Sequence, residues 1–170
     1  MKKIILLSII LIFLTGCGGI YDLNDFILPD DMEFLTLMEE LDTPQKIADY
    51  MEENFTYERH IFYNPDPYTL WKTKKGDCND FSTFATFIAN YHGYGTYQIK
   101  LQGKGLNIHW LAVYLENGQY SYSNNTHYYY IQMNKFKYIV MDWYYKNRLN
   151  WISYIVYDYD MNIIEKGYNN

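Results

Sequence analysis

The sequence predicts one α+β domain, with helices first and an antiparallel sheet after them. Three observations carry this. Apolar residues recur at helical spacing up to about residue 91, and from residue 97 the period changes to the two-residue alternation of strands. Asn117-Gly118 stands between two strand-like runs, a strong signal for a two-residue hairpin. At 170 residues the chain holds a substantial core but not comfortably two.

The elements follow in order. Residues 1–16 read as a secretory signal: Lys2 and Lys3, an apolar run from Ile4 to Leu14, then small residues before a cut. That run is too short to span a bilayer as a helix, which takes ~20 residues. Leu14-Thr15-Gly16-Cys17 resembles the bacterial lipoprotein box. The resemblance implies cleavage before Cys17 and a diacylglycerol on its sulfur. Several acyl chains make such anchoring stable, at ~0.8 kcal/mol per buried methylene. Residues 17–31 are then a lipidated cysteine and tether, and residues 32–170 the domain. The expected location is extracytoplasmic, lipid-anchored to a bacterial membrane.

Met32 to Leu41 is a short helix candidate. Thr43 suits an N-cap and Pro44 the first position of a second helix, in which Ile47, Ala48, Met51 and Phe55 share a face. Residues 58–67 read as loop. Tyr68 to Lys74 is a short helix, with Gly76 as the turn after it. A strong helix runs from Cys78 to Tyr91, with Phe81, Phe84, Ala85 and Ile88 on one face, and Gly93 ends it. Residues 97–101, 108–116 and 119–124 are strands. Asn134 is expected to cap a helix that buries Phe136, Ile139, Val140 and Trp143, and residues 151–158 and 161–165 form a closing hairpin.

Composition excludes several functions. Loss of Lys2 and Lys3 with the signal takes the formal charge from −6 to −8, with 12 basic against 20 acidic residues. No basic patch survives that count, so nucleic acid is not an expected partner. With Cys17 lipidated, Cys78 is the single remaining thiol. A disulfide scaffold and a multi-cysteine zinc site are both excluded. The 21 tyrosines suit half-buried sheet faces.

Cys78 opens its helix directly after Asp77, which can act as N-cap, with Asp80 answering in a box-like arrangement. A helix N-terminus lowers a thiol pKa, and its amides can hold an oxyanion. The two aspartates oppose a thiolate, so a nearby imidazole is required. His92 lies fourteen residues along the same helix, about 21 Å away at ~1.5 Å per residue. His60 and His127 fall in loops and read as surface residues. His109 starts a strand, which holds a side chain more rigidly. Pairing Glu116 with Gln119 brings Asn124 and Asn125 beside His109. An asparagine there fixes the imidazole tautomer, as in Cys-His-Asn proteases. Register leaves the choice between them open.

The stretches TPQKIADYMEENFTY, LWKTKKGDCNDFSTFATFIANYHGY and HWLAVYLENGQYSYSNN together resemble the transglutaminase-like superfamily, a papain-like fold group. The resemblance spans roughly Asp42 to Asn125. It implies Cys78 as nucleophile, His109 as general base and Asn124 as the third residue, where the family usually has Asp. Trp71 is a candidate second oxyanion contact, against the plainer expectation of a core aromatic, and Trp110 is named with it as a groove residue. The implied activity is acyl transfer through a Cys78 thioester, leaning to hydrolysis of peptide or isopeptide bonds, with cell-wall peptide as a substrate suggested by location. The rival expectation is a degenerate domain acting as a binding module, which the asparagine favours. No metal or organic cofactor is implied, and the calcium dependence of animal transglutaminases has no acidic loop here to support it.

Overall fold

The computed structural model describes residues 26–60, 63–105 and 107–169. The expected signal and the lipidated Cys17 lie outside the described residues. Packing reaches into the expected tether, because Phe26 meets Phe87 edge-on at 5.1 Å.

Four helices come first: α1 (Met32–Glu40), α2 (Pro44–Asn54), α3 (Pro67–Thr73) and α4 (Cys78–Tyr91). Asp31 caps α1 through its carboxylate, and Thr43 caps α2 with Pro44 following. A short parallel pair, β1 (Thr56–Tyr57) and β2 (Lys75–Gly76), ties the end of α2 to the start of α4. The turn after α3 differs from expectation. Lys74, at φ +59°, takes the left-handed cap, not Gly76. Gly76 is needed for space: a Cβ there would lie 2.7 Å from Leu70 Cδ1 and 2.8 Å from Asp80 Oδ2.

The remaining strands are β3 (Gly95–Gly103), β4 (Ile108–Glu116), β5 (Gln119–Asn124), β6 (His127–Met133), β7 (Trp151–Asp158) and β8 (Ile163–Tyr168), with α5 (Phe136–Asn147) between β6 and β7. They form an antiparallel sheet in the order β6-β5-β4-β3-β7-β8. Glu116 pairs with Gln119 as expected, and Asn117 and Gly118 both have positive φ, as a tight primed turn requires. Two expectations fail here. His127 opens a strand instead of sitting in a loop, because Asn125 at φ +53° turns the chain back at once. Asn134 does not cap α5. Lys135 holds the N-cap position and makes no side-chain cap bond.

α4 is buried along nearly its whole length. Phe81, Phe84 and Ile88 join Phe34, Ile47, Met51 and Leu70 in one core. Its polar face meets β3, where Ser82 Oγ donates to Gln98 Oε1 at 3.0 Å and Gln98 Nε2 lies 3.4 Å from Thr86 Oγ1. These bonds satisfy groups whose burial would otherwise cost about 1–3 kcal/mol each. On the other sheet face α5 lays Phe136, Ile139, Val140 and Trp143 over Leu101, Leu111, Val113 and Tyr122. Alternation along β4 therefore sends Trp110 and Ala112 toward α4, and Leu111 and Val113 toward α5. Among the described residues no helix is long and apolar enough to cross a membrane.

Candidate active site

The site is built around the first turn of α4. Asp77 is the N-cap: its Oδ1 accepts the Asn79 N–H at 2.9 Å, and Asp80 Oδ2 accepts the Asp77 N–H at 2.7 Å. Both carboxylates are buried. The Asp80 carboxylate carries a second contact, with His60 Nε2 2.5 Å from its Oδ2. His60 is thus no surface bystander but fastens the preceding loop to the helix start. Burial pushes the Asp80 carboxyl up to about 6. The Asp77 N–H pulls against that, the Asp77 charge adds to it, and His60 also opposes it.

Cys78 follows at the first helical position. It is in no disulfide and is 2% exposed, packed with Trp110 and Tyr157. Those two rings stack at 5.6 Å.

His109 sits one residue before Trp110 and so turns to the other sheet face. Its ring stacks on Trp143 at 5.2 Å and 20°. Its Nε2 lies 2.7 Å from Asn124 Oδ1. A carboxamide oxygen can only accept, so Nε2 carries the hydrogen and Nδ1 is left as the basic nitrogen. Strand pairing explains the choice of Asn124 over Asn125: continued past Ala112–Ser123, the register sets Asn124 across from Leu111, on the face of His109. Burial lowers the His109 pKa, and the Asn124 hydrogen bond and the charge of Asp77 offset part of that.

The thiol cluster and the His109–Asn124 pair thus lie on the two faces of β4. Ile108 belongs to both settings. It packs against the Cys78–Trp110–Tyr157 cluster and lines a cavity of about 360 Å³ with His109, Asn124 and Trp143. Trp71 belongs elsewhere, in the first core between Phe34 and Tyr68, with Lys74 Nζ 4.9 Å from its ring. Trp110 is 1% exposed and lies beneath the thiol instead of lining the cavity. His92 is held at the far end of α4, its Nε2 2.7 Å from Met38 O.

Among the described residues, His60, Asp77 and Asp80 bring potential metal-ligand atoms within 4.8 Å of one another. The capping box and the His60 bond already account for that closeness. Sequence reasoning missed His60 and Trp143 as neighbours of the site. His60 precedes the helix by a loop of unreadable path, and Trp143 reads as one more apolar residue on a helix face.

A mixed helical and antiparallel domain with its cysteine at the head of a buried central helix is of the papain-like class. The family model of the transglutaminase-like superfamily matches residues 34–124, more than half of the chain, and the protein belongs to that superfamily. No curated protein matches it.

Proposed function

We propose that the protein is a cysteine acyl-transfer enzyme acting on amide bonds, with Cys78 as nucleophile, His109 as general base and Asn124 as its orienting residue. The observation that carries this is the His109 Nε2–Asn124 Oδ1 bond of 2.7 Å, which leaves Nδ1 free to take a proton. Cys78 supports it from the capped start of α4. In the reaction, Nδ1 takes the thiol proton as sulfur attacks the amide carbonyl. The amine leaves with that proton and a thioester forms. Water or an amine then attacks the thioester, giving its own proton to Nδ1, and the thiol is restored. The Asp77 carboxylate takes the Asn79 and Asp80 amides, so oxyanion stabilisation falls to the positive end of the α4 dipole. The substrate is a peptide or protein amide, with cell-wall peptide fitting the location that the lipoprotein box suggests. Membrane attachment rests on Leu14-Thr15-Gly16-Cys17 alone. Mass spectrometry of the amino-terminal peptide tests it, and an unmodified Cys17 refutes it.

The 2% exposure of Cys78 favours a second reading, a binding module that has retired the thiol. Iodoacetamide labelling separates the two. Rapid labelling of Cys78 at mildly acidic pH, lost in His109→Ala, supports the enzyme. A slow thiol that titrates near ~8.5 supports the binding module.

A further inference from the structure

The amino-terminal entry to the domain is apolar on its outer side. Phe26 is fixed edge-on against Phe87 at 5.1 Å. The residues after it face outward. Ile27 is 88% exposed, Leu28 is exposed, and Met32, which opens α1, is 71% exposed. Apolar residues exposed in such a group mark an interaction surface. Met32 also borders a groove with Leu37, Tyr50 and Trp71, rimmed by Glu33 and Glu40, which extends this surface along α1. The nearby acids differ in their state. Asp31 is engaged: its Oδ2 takes Lys72 Nζ at 2.8 Å and the Tyr68 hydroxyl at 2.7 Å, and its Oδ1 caps α1. Asp30, Glu33 and Glu40 face solvent. They oppose an anionic lipid surface and tolerate a zwitterionic one.

Chain length says what can lie against this side. Nine residues separate Cys17 from Phe26. Fully extended, they reach at most ~32 Å. A domain of about 140 residues has a radius of gyration of ~14 Å, and a path halfway round it runs roughly 60 Å. α1 and α4 pack on one sheet face and α5 on the other. A lipid on Cys17 can therefore bring the Phe26 side of the domain to a bilayer, but not the far side, where Tyr138, Tyr145 and Ile152 are exposed.

We infer that Ile27, Leu28 and Met32 dock on a membrane surface of zwitterionic lipid, so that the domain stands on the bilayer in one orientation. This rests on the membrane attachment proposed above and is independent of the acyl-transfer chemistry. Tethering raises the effective concentration of lipid at the surface to the order of millimolar, so a small apolar group suffices. Phe87 is nine residues past Cys78 on α4, about 14 Å along the helix axis. Docking thus sets the proposed nucleophile at a fixed height above the lipid.

The test uses the full-length, lipid-bearing Cys78→Ser protein in phosphatidylcholine vesicles that carry nitroxide-labelled lipid. A fluorophore is attached through Thr36→Cys, one turn beyond Met32, or through Tyr145→Cys. Flotation with the vesicles reports attachment, and quenching reports which side meets the lipid. Quenching at position 36 is expected to exceed that at 145 by roughly threefold or more, since docked apolar residues sit ~5–10 Å into the headgroup boundary. Ile27→Asp combined with Met32→Asp abolishes this difference while the protein still floats, with melting curves confirming that it folds. Added phosphatidylglycerol weakens the quenching at position 36, and stronger quenching there overturns the preference for zwitterionic lipid. Flotation with equal quenching at both positions, or a difference that the double variant keeps, overturns the docking and leaves attachment standing. A protein that does not float refutes attachment and docking together.

Discussion

His60 Nε2 lies 2.5 Å from Asp80 Oδ2, and the same oxygen accepts the N–H of Asp77. One buried carboxylate thus closes the capping box of the cysteine-bearing helix and holds the loop before it. His60→Ala removes a partner from a buried acid. A loss of about 1–3 kcal/mol in urea unfolding is expected, while His60→Ala with no change in midpoint would show the contact to be idle.

The pH dependence of stability follows from the same carboxyl. Its folded pKa of about 6 lies above its unfolded value of 3.8. Between these values the folded state holds a proton that the unfolded chain has released. This contribution is complete below 3.8 and is lost as pH rises through about 6. His109 acts in the opposite sense: its lowered pKa costs stability as pH falls below 6.5. Asp80→Asn removes only the first effect. The stability advantage of wild type over Asp80→Asn should therefore shrink between pH 4 and pH 7 in urea titrations. A gap that stays constant would contradict the assignment.

Asn124→Asp places a full negative charge on the Nε2–H of His109. A neighbouring carboxylate favours the imidazolium, so the His109 pKa rises. An imidazolium stabilises the Cys78 thiolate, so the acid limb of Cys78 labelling moves to lower pH in the variant. NMR titration of the ring protons reads the rise in the His109 pKa directly. Asn124→Ala lets burial act with less opposition, and the limb moves the other way.

Gly76→Ala tests the approach of α3 to the head of α4. The added methyl would meet Leu70 Cδ1 at 2.7 Å and the Asp80 side chain at 2.8–2.9 Å. Overpacking of this kind costs about 1–3 kcal/mol. A thermal melt gives the loss, and Cys78 labelling shows whether the helix start has moved with it.

Much of this could be read from the sequence because it is local. Thr43-Pro44, Asp77-Cys78 and Asn117-Gly118 each write their own backbone geometry, and the structure has the two caps and the hairpin where those residues set them. Glu116–Gln119 pairing brought Asn124 near His109, since a hairpin carries its register outward from the turn. What failed depended on space or on distant partners. Gly76 looks like a turn glycine until Leu70 and Asp80 are seen around it. His60 looks like a loop residue until tertiary folding lays it on Asp80. The strand from His127 was hidden because its aromatic run, on the sheet's edge, lacks clean alternation.

The order β6-β5-β4-β3-β7-β8 puts β7 alongside β3 and β8 outside it, although both lie beyond the stretch that the superfamily pattern covers. Severing the polypeptide after Asn124 would strip β3 of one of its two neighbours, take Tyr157 from the cluster that holds Cys78 and pull Trp143 off the imidazole. The recognisable segment is thus not a separable unit. The tail supplies the walls of the chamber, and a naked strand border, prone to sticking to its copies, would be left in its place.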